Sequence, residues 1–139
     1  HCPVANTFLQ SGIMPRSRWQ SEALRLSLGS DIGAGTERSM IRTARAMIEM
    51  AKLTRLDNPE FTIPSAAEAW WQITAGNAAA LAWQDCGKLT VGSAADLVIA
   101  RPNIAWQHAP DPLSVLLYGW DDRWLKQTVL AGKVAFGSS

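Results

Sequence analysis

The stretch LRLSLGSDIGAGT, residues 24–36, carries the main sequence signal for the fold of this chain. Its leucines alternate with polar residues up to Leu28, and this period of two predicts a strand. Asp31 follows, in front of a turn that contains Gly33 and Gly35. A carboxylate at the carboxyl end of a strand, before such a loop, is where α/β barrels place working groups. Asp31 is therefore the first candidate functional residue, with a plain cap or turn former as the alternative.

Helical periodicity follows this loop. Apolar residues recur at spacings of three and four between residues 40 and 51, which predicts an amphipathic helix that the DNP sequence at 57–59 ends. Ser65, with Glu68 three residues later, is a capping-box pattern and predicts the start of a second helical region. We expect this second region to be interrupted near Gly76 and to resume after it.

Further elements are predicted at the two ends of the chain. His1 to Val4 is short and apolar, which indicates a strand end. Asp96 to Ala100 is a candidate buried strand, and Pro110 to Tyr118 a candidate short helix. Leu125 to Leu130 and Val134 to Phe136, separated by a glycine turn, predict a β-hairpin.

Composition and charge exclude several classes of function. The chain has 139 residues, of which 47% are hydrophobic and 18% charged, so we expect a packed core rather than disorder. Its net charge is +1 and no basic stripe is visible, so we expect no nucleic-acid partner. No apolar stretch reaches the roughly 20 residues that span a bilayer, so we expect no membrane partner.

Cysteine, histidine and tryptophan bear on compartment, metal binding and packing. Cys2 and Cys86 lie far apart, and we expect two reduced thiols in a cytoplasmic protein. His1 and His108 are also far apart and no H-x-H pair occurs, so no self-contained zinc site is expected. Five of the 7 Trp are predicted to be core or domain-interface anchors, and these are Trp70, Trp71, Trp83, Trp106 and Trp120.

Four segments of the chain resemble a known family. HCPVANTFLQSG, at residues 1–12, resembles the H-C-P-x-S-N-x-x-L-x-S-G segment of guanine deaminases, in the amidohydrolase superfamily. LGSDIGAGTERSM, at residues 28–40, resembles their L-G-T-D-V-x-G-G/A-G-T-x-x-S-M segment. GKLTVGSAADLVI at 87–99 and VLAGKV at 129–134 are similar to signatures common across amidohydrolases. The chain as a whole therefore resembles the C-terminal portion of a guanine deaminase.

The resemblance implies a fold. It is of the α/β class, a C-terminal fragment of a distorted (β/α)₈ barrel of the TIM type with part of a small β-sandwich. Residues 1–84 would be the last two βα units of the metal-dependent hydrolase barrel, with extra helices. Residues 85–139 would be the C-terminal strands of the composite sandwich, with one short helix. Since a (β/α)₈ barrel alone takes about 250 residues, most of the protein would precede His1.

The resemblance also implies roles for two residues. Asp31 would end the eighth barrel strand, coordinate the catalytic zinc and take a proton from the attacking water. His1 would lie outside the set of metal ligands and orient them, or it would line the pocket. A purely structural role is the alternative. The remaining metal ligands, which are histidines of earlier strands, and the proton-shuttling Glu would precede His1. We therefore expect this chain alone neither to hold the catalytic zinc nor to deaminate a substrate.

The activity implied for the intact enzyme is hydrolysis of guanine to xanthine and ammonia, with a small-molecule purine as substrate. Two positions depart from the family pattern, since Ala5 replaces a Ser and Glu37 a neutral residue. The alternatives are an aminohydrolase acting on another purine, pterin or triazine, and a non-catalytic stand-alone module derived from one. Because two barrel strands alone leave open edges, we expect a homo-oligomer or association with the missing N-terminal half.

Overall fold

The computed structural model describes residues 1–137, except for the side chains of Ser17 and Gln20. The last two residues of the expected unit 85–139 lie outside the described residues. The helices are α1 (Pro3–Phe8), α2 (Arg16–Ser21), α3 (Met40–Asp57), α4 (Ala66–Trp71), α5 (Asn77–Ala80) and α6 (Pro112–Tyr118). The strands are β1 (Leu97–Ala100), β2 (Leu125–Leu130) and β3 (Lys133–Phe136). A π-helical turn, Gln72–Gly76, joins α4 to α5, and a 3₁₀ turn, Asp122–Trp124, precedes β2.

Helix α3 forms the centre of the core, as its periodicity predicts. It begins at a Ser39 cap, whose hydroxyl accepts a hydrogen bond from the Arg42 amide, and it ends at Asp57. The face that carries Met47 is buried against Leu117 of α6 and against Leu28, which precedes the Asp31 turn. The predicted helix is therefore confirmed, and it packs directly behind the segment that carries the candidate site.

The second helical region is confirmed as well, with a different geometry at its middle. Ser65 and Glu68 form the predicted capping box at the start of α4. The expected interruption near Gly76 is a π-helical turn that keeps the chain helical. A Cβ at Gly76 would lie 2.6 Å from the ring of Trp71, so the absence of a side chain lets Trp71 pack across the turn.

Two strand predictions near the site are wrong. Pro3 occupies the first helical position of α1, so residues from Pro3 onward form a helix instead of a strand end. Residues 24–28 form no strand ladder, because no other strand among the described residues pairs with them. Instead, the backbone of Ser27 bonds to His1, and the backbone groups of Leu26 and Leu28 bond to side chains of the second helical region.

The C-terminal part forms a three-stranded antiparallel sheet in the order β1-β2-β3. The predicted hairpin is confirmed, and its turn places both Ala131 and Gly132 at positive φ, as hairpin turns require. The strand predicted at 96–100 is confirmed as β1, but the expectation that it is buried is wrong. Val98 and Ile99 are 62% and 46% exposed, because no second layer among the described residues covers the sheet.

Aromatic side chains connect the helices to the segment before β2. Trp70, Trp120 and Trp124 stack edge to face, with ring centroids 6.2 and 5.7 Å apart. Trp71 and Trp83 are exposed, so neither is a core anchor among the described residues, and their alternative role at a domain interface stays a prediction. Trp124, which the sequence does not mark as an anchor, is buried. None of the helices described in residues 1–137 combines the length and the apolar character that crossing a membrane requires.

Candidate functional site

Asp31 lies in a backbone conformation that few residues adopt. Its φ is +51°, in the left-handed region, where Asp is tolerated better than most side chains. Its carbonyl oxygen accepts hydrogen bonds from the amides of Ala34, at 3.1 Å, and Gly35, at 2.7 Å. The turn is therefore closed onto Asp31 itself. Other non-glycine residues such as Ala23 and Ala131 also have a positive φ, so this conformation fits a turn former as well as a functional residue.

The carboxylate of Asp31 is available for a ligand. The residue is exposed, and within residues 1–137 no hydrogen bond or ion pair engages its side chain. A carboxylate oxygen is a hard donor that suits a divalent cation and can also accept a proton. The structure therefore leaves the chemistry of this side chain unused by the fold.

His1 is bound to the same segment through its backbone. Its amino group donates to the carbonyl oxygen of Ser27 at 2.7 Å, and its carbonyl oxygen accepts from the amide of Gly29 at 2.9 Å. Two bonds of this kind pair one residue with a neighbouring parallel chain segment, but here they do not extend into a strand ladder. The imidazole Nδ1 is buried without a hydrogen-bond partner. No interaction between described atoms joins the imidazole to the Asp31 carboxylate, so the backbone links the two residues and the side chains do not.

A small cavity lies beside His1. It has a volume of about 10 Å³, and its lining includes Met14, Arg16, Leu26 and Gln72. This is room for about one water molecule and is far smaller than a purine pocket. Burial lowers the pKa of the Arg16 guanidinium, and the charge of Glu68 partly opposes this effect. The described residues around His1 therefore form packed structure and not a complete substrate site.

Glu37, one of the two departures from the family pattern, is held by the start of α3. Its carboxylate accepts a hydrogen bond from the amide of Ser39 at 2.8 Å and lies 3.7 Å from the guanidinium of Arg42. The same guanidinium donates to Asp122 at 3.0 Å. A negative charge at the N-terminus of a helix is favoured by the helix dipole. The acidic residue at this position thus has a structural partner.

Ala5, the other departure, lies against the turn that follows Asp31. It is 1% exposed, and a Cβ at Gly35 would lie 3.0 Å from the Ala5 Cβ. The residue is therefore part of the packing that supports the turn, and position 5 has little room for a larger group.

Sequence reasoning missed two amide side chains. Asn77 forms hydrogen bonds with both backbone groups of Leu28, and Gln72 donates to the carbonyl oxygen of Leu26. Two polar amides inside an apolar, alanine-rich helical stretch were the available signal, because buried polar side chains need partners.

The candidate residues do not form a metal centre by themselves. Among residues 1–137, no group of three or more His, Cys, Asp or Glu side chains is close enough to hold a metal ion. Asp31 offers one carboxylate, and a catalytic zinc site uses three protein ligands.

Comparison with known proteins places the chain in a family. The amidohydrolase family model matches residues 1–135. The chain is 28% identical to guanine deaminase of Escherichia coli (strain K12) over 145 residues, which cover 97% of the chain and 32% of that protein. It is 32% identical to 5-methylthioadenosine/S-adenosylhomocysteine deaminase of Pelotomaculum thermopropionicum over 138 residues, which cover 96% of the chain and 31% of that protein.

Solved structures agree with this placement. The structure of E. coli guanine deaminase superposes with a TM-score of 0.85 at 26% identity, over 99% of the chain and 33% of that protein. An adenosine deaminase from Xanthomonas campestris with bound zinc superposes with a TM-score of 0.81 at 29% identity, over 99% of the chain and 31% of that protein. The chain thus spans about a third of the length of the relatives it matches. On these similarities, the chain belongs to the amidohydrolase family.

Proposed function

We propose that this chain is the C-terminal portion of a metal-dependent hydrolytic deaminase of purines, with guanine as its substrate. Residues 1–84 would supply the last two βα units of a (β/α)₈ barrel with extra helices, and residues 85–139 the C-terminal strands of a composite β-sandwich. The observation that carries the proposal is Asp31, an exposed and unpaired carboxylate at a left-handed φ inside a match over residues 1–135. The similarity to a guanine deaminase and to a zinc-bound adenosine deaminase supports both the reaction and the metal.

The chemistry assigned to this chain is the work of one carboxylate. A bound zinc ion would lower the pKa of water to about 7 and polarise the substrate. Asp31 would be one ligand of the cation. It would also accept a proton from the attacking water and return it to the leaving amino group. Water would add to the purine carbon that carries the amino group, and the nitrogen would leave as ammonia. His1 would stay behind this site, held by the segment that carries Asp31.

The test uses the full-length polypeptide, meaning the complete gene product that contains this chain. We expect it to bind zinc and to release ammonia from guanine faster than from S-adenosylhomocysteine, 8-oxoguanine or an aminotriazine. Asp31→Asn should lose zinc and lower the turnover rate by about 10² to 10⁴-fold, the range of general acid–base catalysis. Asp57→Asn, at the exposed end of α3, is the matched control and should leave both unchanged.

Other outcomes would change the proposal. Faster deamination of another substrate would retain the reaction and replace guanine. A full-length protein without metal or deaminase activity, or an active Asp31→Asn variant, would contradict it. The reading frame upstream of His1 tests the alternative of a non-catalytic module. An in-frame segment that encodes an H-x-H pair dismisses that alternative, and a start codon next to His1 favours it.

We also propose that the isolated chain is incomplete as an enzyme. Apolar side chains at the end of α1 and in the Asp31 turn are exposed, and they include Phe8, Leu9 and Ile32, each more than half accessible. Exposed apolar surface of this kind supports association with the upstream part of the polypeptide or with a second copy. The isolated chain should oligomerise in light scattering at high concentration and should show neither stoichiometric zinc nor ammonia release. A monodisperse monomer would contradict the first expectation, and zinc with ammonia release the second.

A further inference from the structure

The side-chain amide of Asn77, at the start of α5, is paired with the backbone of Leu28. The Leu28 amide donates to Asn77 Oδ1 at 2.7 Å, and Asn77 Nδ2 donates to the Leu28 carbonyl oxygen at 2.8 Å. An edge of a strand normally offers such a donor and acceptor to the peptide group of a neighbouring strand. Asn77 therefore takes the place of a strand neighbour, although 49 residues separate it from Leu28 in the sequence.

The orientation of this amide is fixed by a second one. Gln72 Nε2 donates to Asn77 Oδ1 at 3.2 Å and to the carbonyl oxygen of Leu26 at 2.9 Å. Because Oδ1 receives two donors while Nδ2 faces a carbonyl oxygen, a flipped Asn77 amide would lose these bonds. Gln72 and Leu28 are 6% and 3% exposed, so water does not readily replace either partner.

The opposite edge of the same segment is held by His1, through Ser27 and Gly29. Residues 26–29 are therefore bonded on both edges. Asp31 begins two residues later, and no described side chain holds its carboxylate. The position of that carboxylate consequently depends on the backbone segment before it and on the turn after it.

We propose that Asn77 is a positioning residue for Asp31. By pairing with Leu28, Asn77 fixes the position and direction of the backbone where it enters the left-handed turn. It thereby fixes the position of the Asp31 carboxylate, which the proposed function assigns to the metal. The inference rests on that proposed function. Asn77 itself touches neither the carboxylate nor the turn. It acts through the backbone from Leu28 to Asp31.

The experiment measures zinc affinity and turnover in the full-length polypeptide for Asn77→Ala and Asn77→Asp. The second variant keeps the size and the acceptor for the Leu28 amide, but it places a carboxylate oxygen against the Leu28 carbonyl. Ser65→Ala is the matched control, because it removes the cap of α4 in the same helical region without touching Leu28. Zinc dissociation constants come from chelator competition, turnover from ammonia release at saturating zinc, and folding from thermal melts.

Both Asn77 variants should weaken zinc binding by about tenfold, the lower end of the range for residues that orient metal ligands, and should lower turnover at saturating zinc. Ser65→Ala should lower the melting temperature with an unchanged zinc dissociation constant. Where Asn77→Ala does not fold, Asn77→Asp decides alone. Wild-type zinc affinity and turnover in the Asn77 variants, with Asp31→Asn inactive, would overturn this inference and leave the proposed function standing. A wild-type protein without zinc or activity would overturn both.

Discussion

Gly35 and Ala5 lie against each other, and their contact holds α1 to the turn that follows Asp31. A Cβ at Gly35 would lie 3.0 Å from the Ala5 Cβ and 2.8 Å from the carbonyl oxygen of Ser30. Real Cβ atoms rarely approach other atoms so closely, and one of the obstacles is backbone. Since the Gly35 amide also donates to the Asp31 carbonyl oxygen, the turn, the helix and the candidate ligand share one packed contact.

Replacing Gly35 by alanine should therefore destabilise the protein and disturb the site. Overpacking of this kind costs about 1–3 kcal/mol, and the Asp31 turn is the part that must move. We expect a lower melting temperature together with weaker zinc binding in the full-length polypeptide. Gly29→Ala is the matched control, because its added Cβ would meet only the Cys2 sulfur, at an ordinary 3.4 Å. Equal melting temperatures for the two variants would contradict the steric argument.

The capping box of α4 predicts a dependence of stability on pH. Hydrogen bonds from the Ser65 backbone and hydroxyl, and the charge of Arg16, hold the pKa of Glu68 below its ordinary value of 4.5. A carboxyl whose folded pKa is lowered stabilises the protein above its unfolded pKa, and this contribution is lost as the pH falls through the folded value.

Glu68→Ala should accordingly lower the melting temperature at pH 7, and the difference from the wild type should shrink below about pH 4.5. Loss of a cap costs about 1 kcal/mol. Glu60→Ala, in the exposed connection before α4, is the control and should have little effect at either pH. A Glu68→Ala difference that stays constant down to pH 3 would count against the capping role.

Asp121 predicts a titration that is local to one ion pair. The guanidinium of Arg123 donates to its carboxylate and lowers the pKa of Asp121 from 3.8 to about 2, while the pKa of Arg123 is raised by the same contact. Any stability from this pair is present above pH 3.8 and is lost as the pH falls towards 2. In an NMR titration, Arg123→Ala should move the pKa of the Asp121 carboxyl back towards 3.8. The backbone amide of residue 123 still donates to Asp121 in this variant, so an unchanged pKa would show that the Arg123 side chain is not the cause of the shift.

The elements predicted correctly from the sequence are those whose pattern is local. Helix α3 follows from spacings of three and four, and the α4 cap from two residues three positions apart. The hairpin of β2 and β3 follows from a glycine turn between two apolar runs. In each case the interactions that determine the element lie within a few residues of one another, so the sequence alone is sufficient.

The surroundings of Asp31 were harder to predict because their partners are distant in sequence. The alternation that ends at Leu28 indicated a strand, but its hydrogen bonds come from His1 and Asn77, 27 and 49 residues away. No local pattern announces that an asparagine will replace a neighbouring strand. The place of Asp31 before a glycine turn, by contrast, is a local pattern, and its role in the site stays a prediction.

Glu37 allows a test of whether the departures from the family pattern alter specificity. Its carboxylate is occupied by the Ser39 amide and by Arg42, whose guanidinium also reaches Asp122. These groups are partly exposed, and such ion pairs contribute about 0–1 kcal/mol. The carboxylate of Glu37 thus links the end of the Asp31 turn to α3, and through Arg42 to the 3₁₀ turn before β2. These contacts explain an acidic residue at position 37 without a substrate.

Glu37→Gln should therefore change the melting temperature only slightly and leave substrate preference unchanged. The amide oxygen of Gln still accepts from the Ser39 amide, and only the charge that faces Arg42 is lost. The measurement is the ratio of kcat/KM for guanine to that for a second aminopurine, in the full-length polypeptide. Arg42→Gln is the companion variant: it removes the ion pair with Glu37 and also the one with Asp122, so it should lower the melting temperature at least as much and still leave the ratio unchanged. A shift of tenfold or more in the ratio for Glu37→Gln alone would show that this carboxylate contacts the substrate, since a purely structural anchor affects both substrates equally.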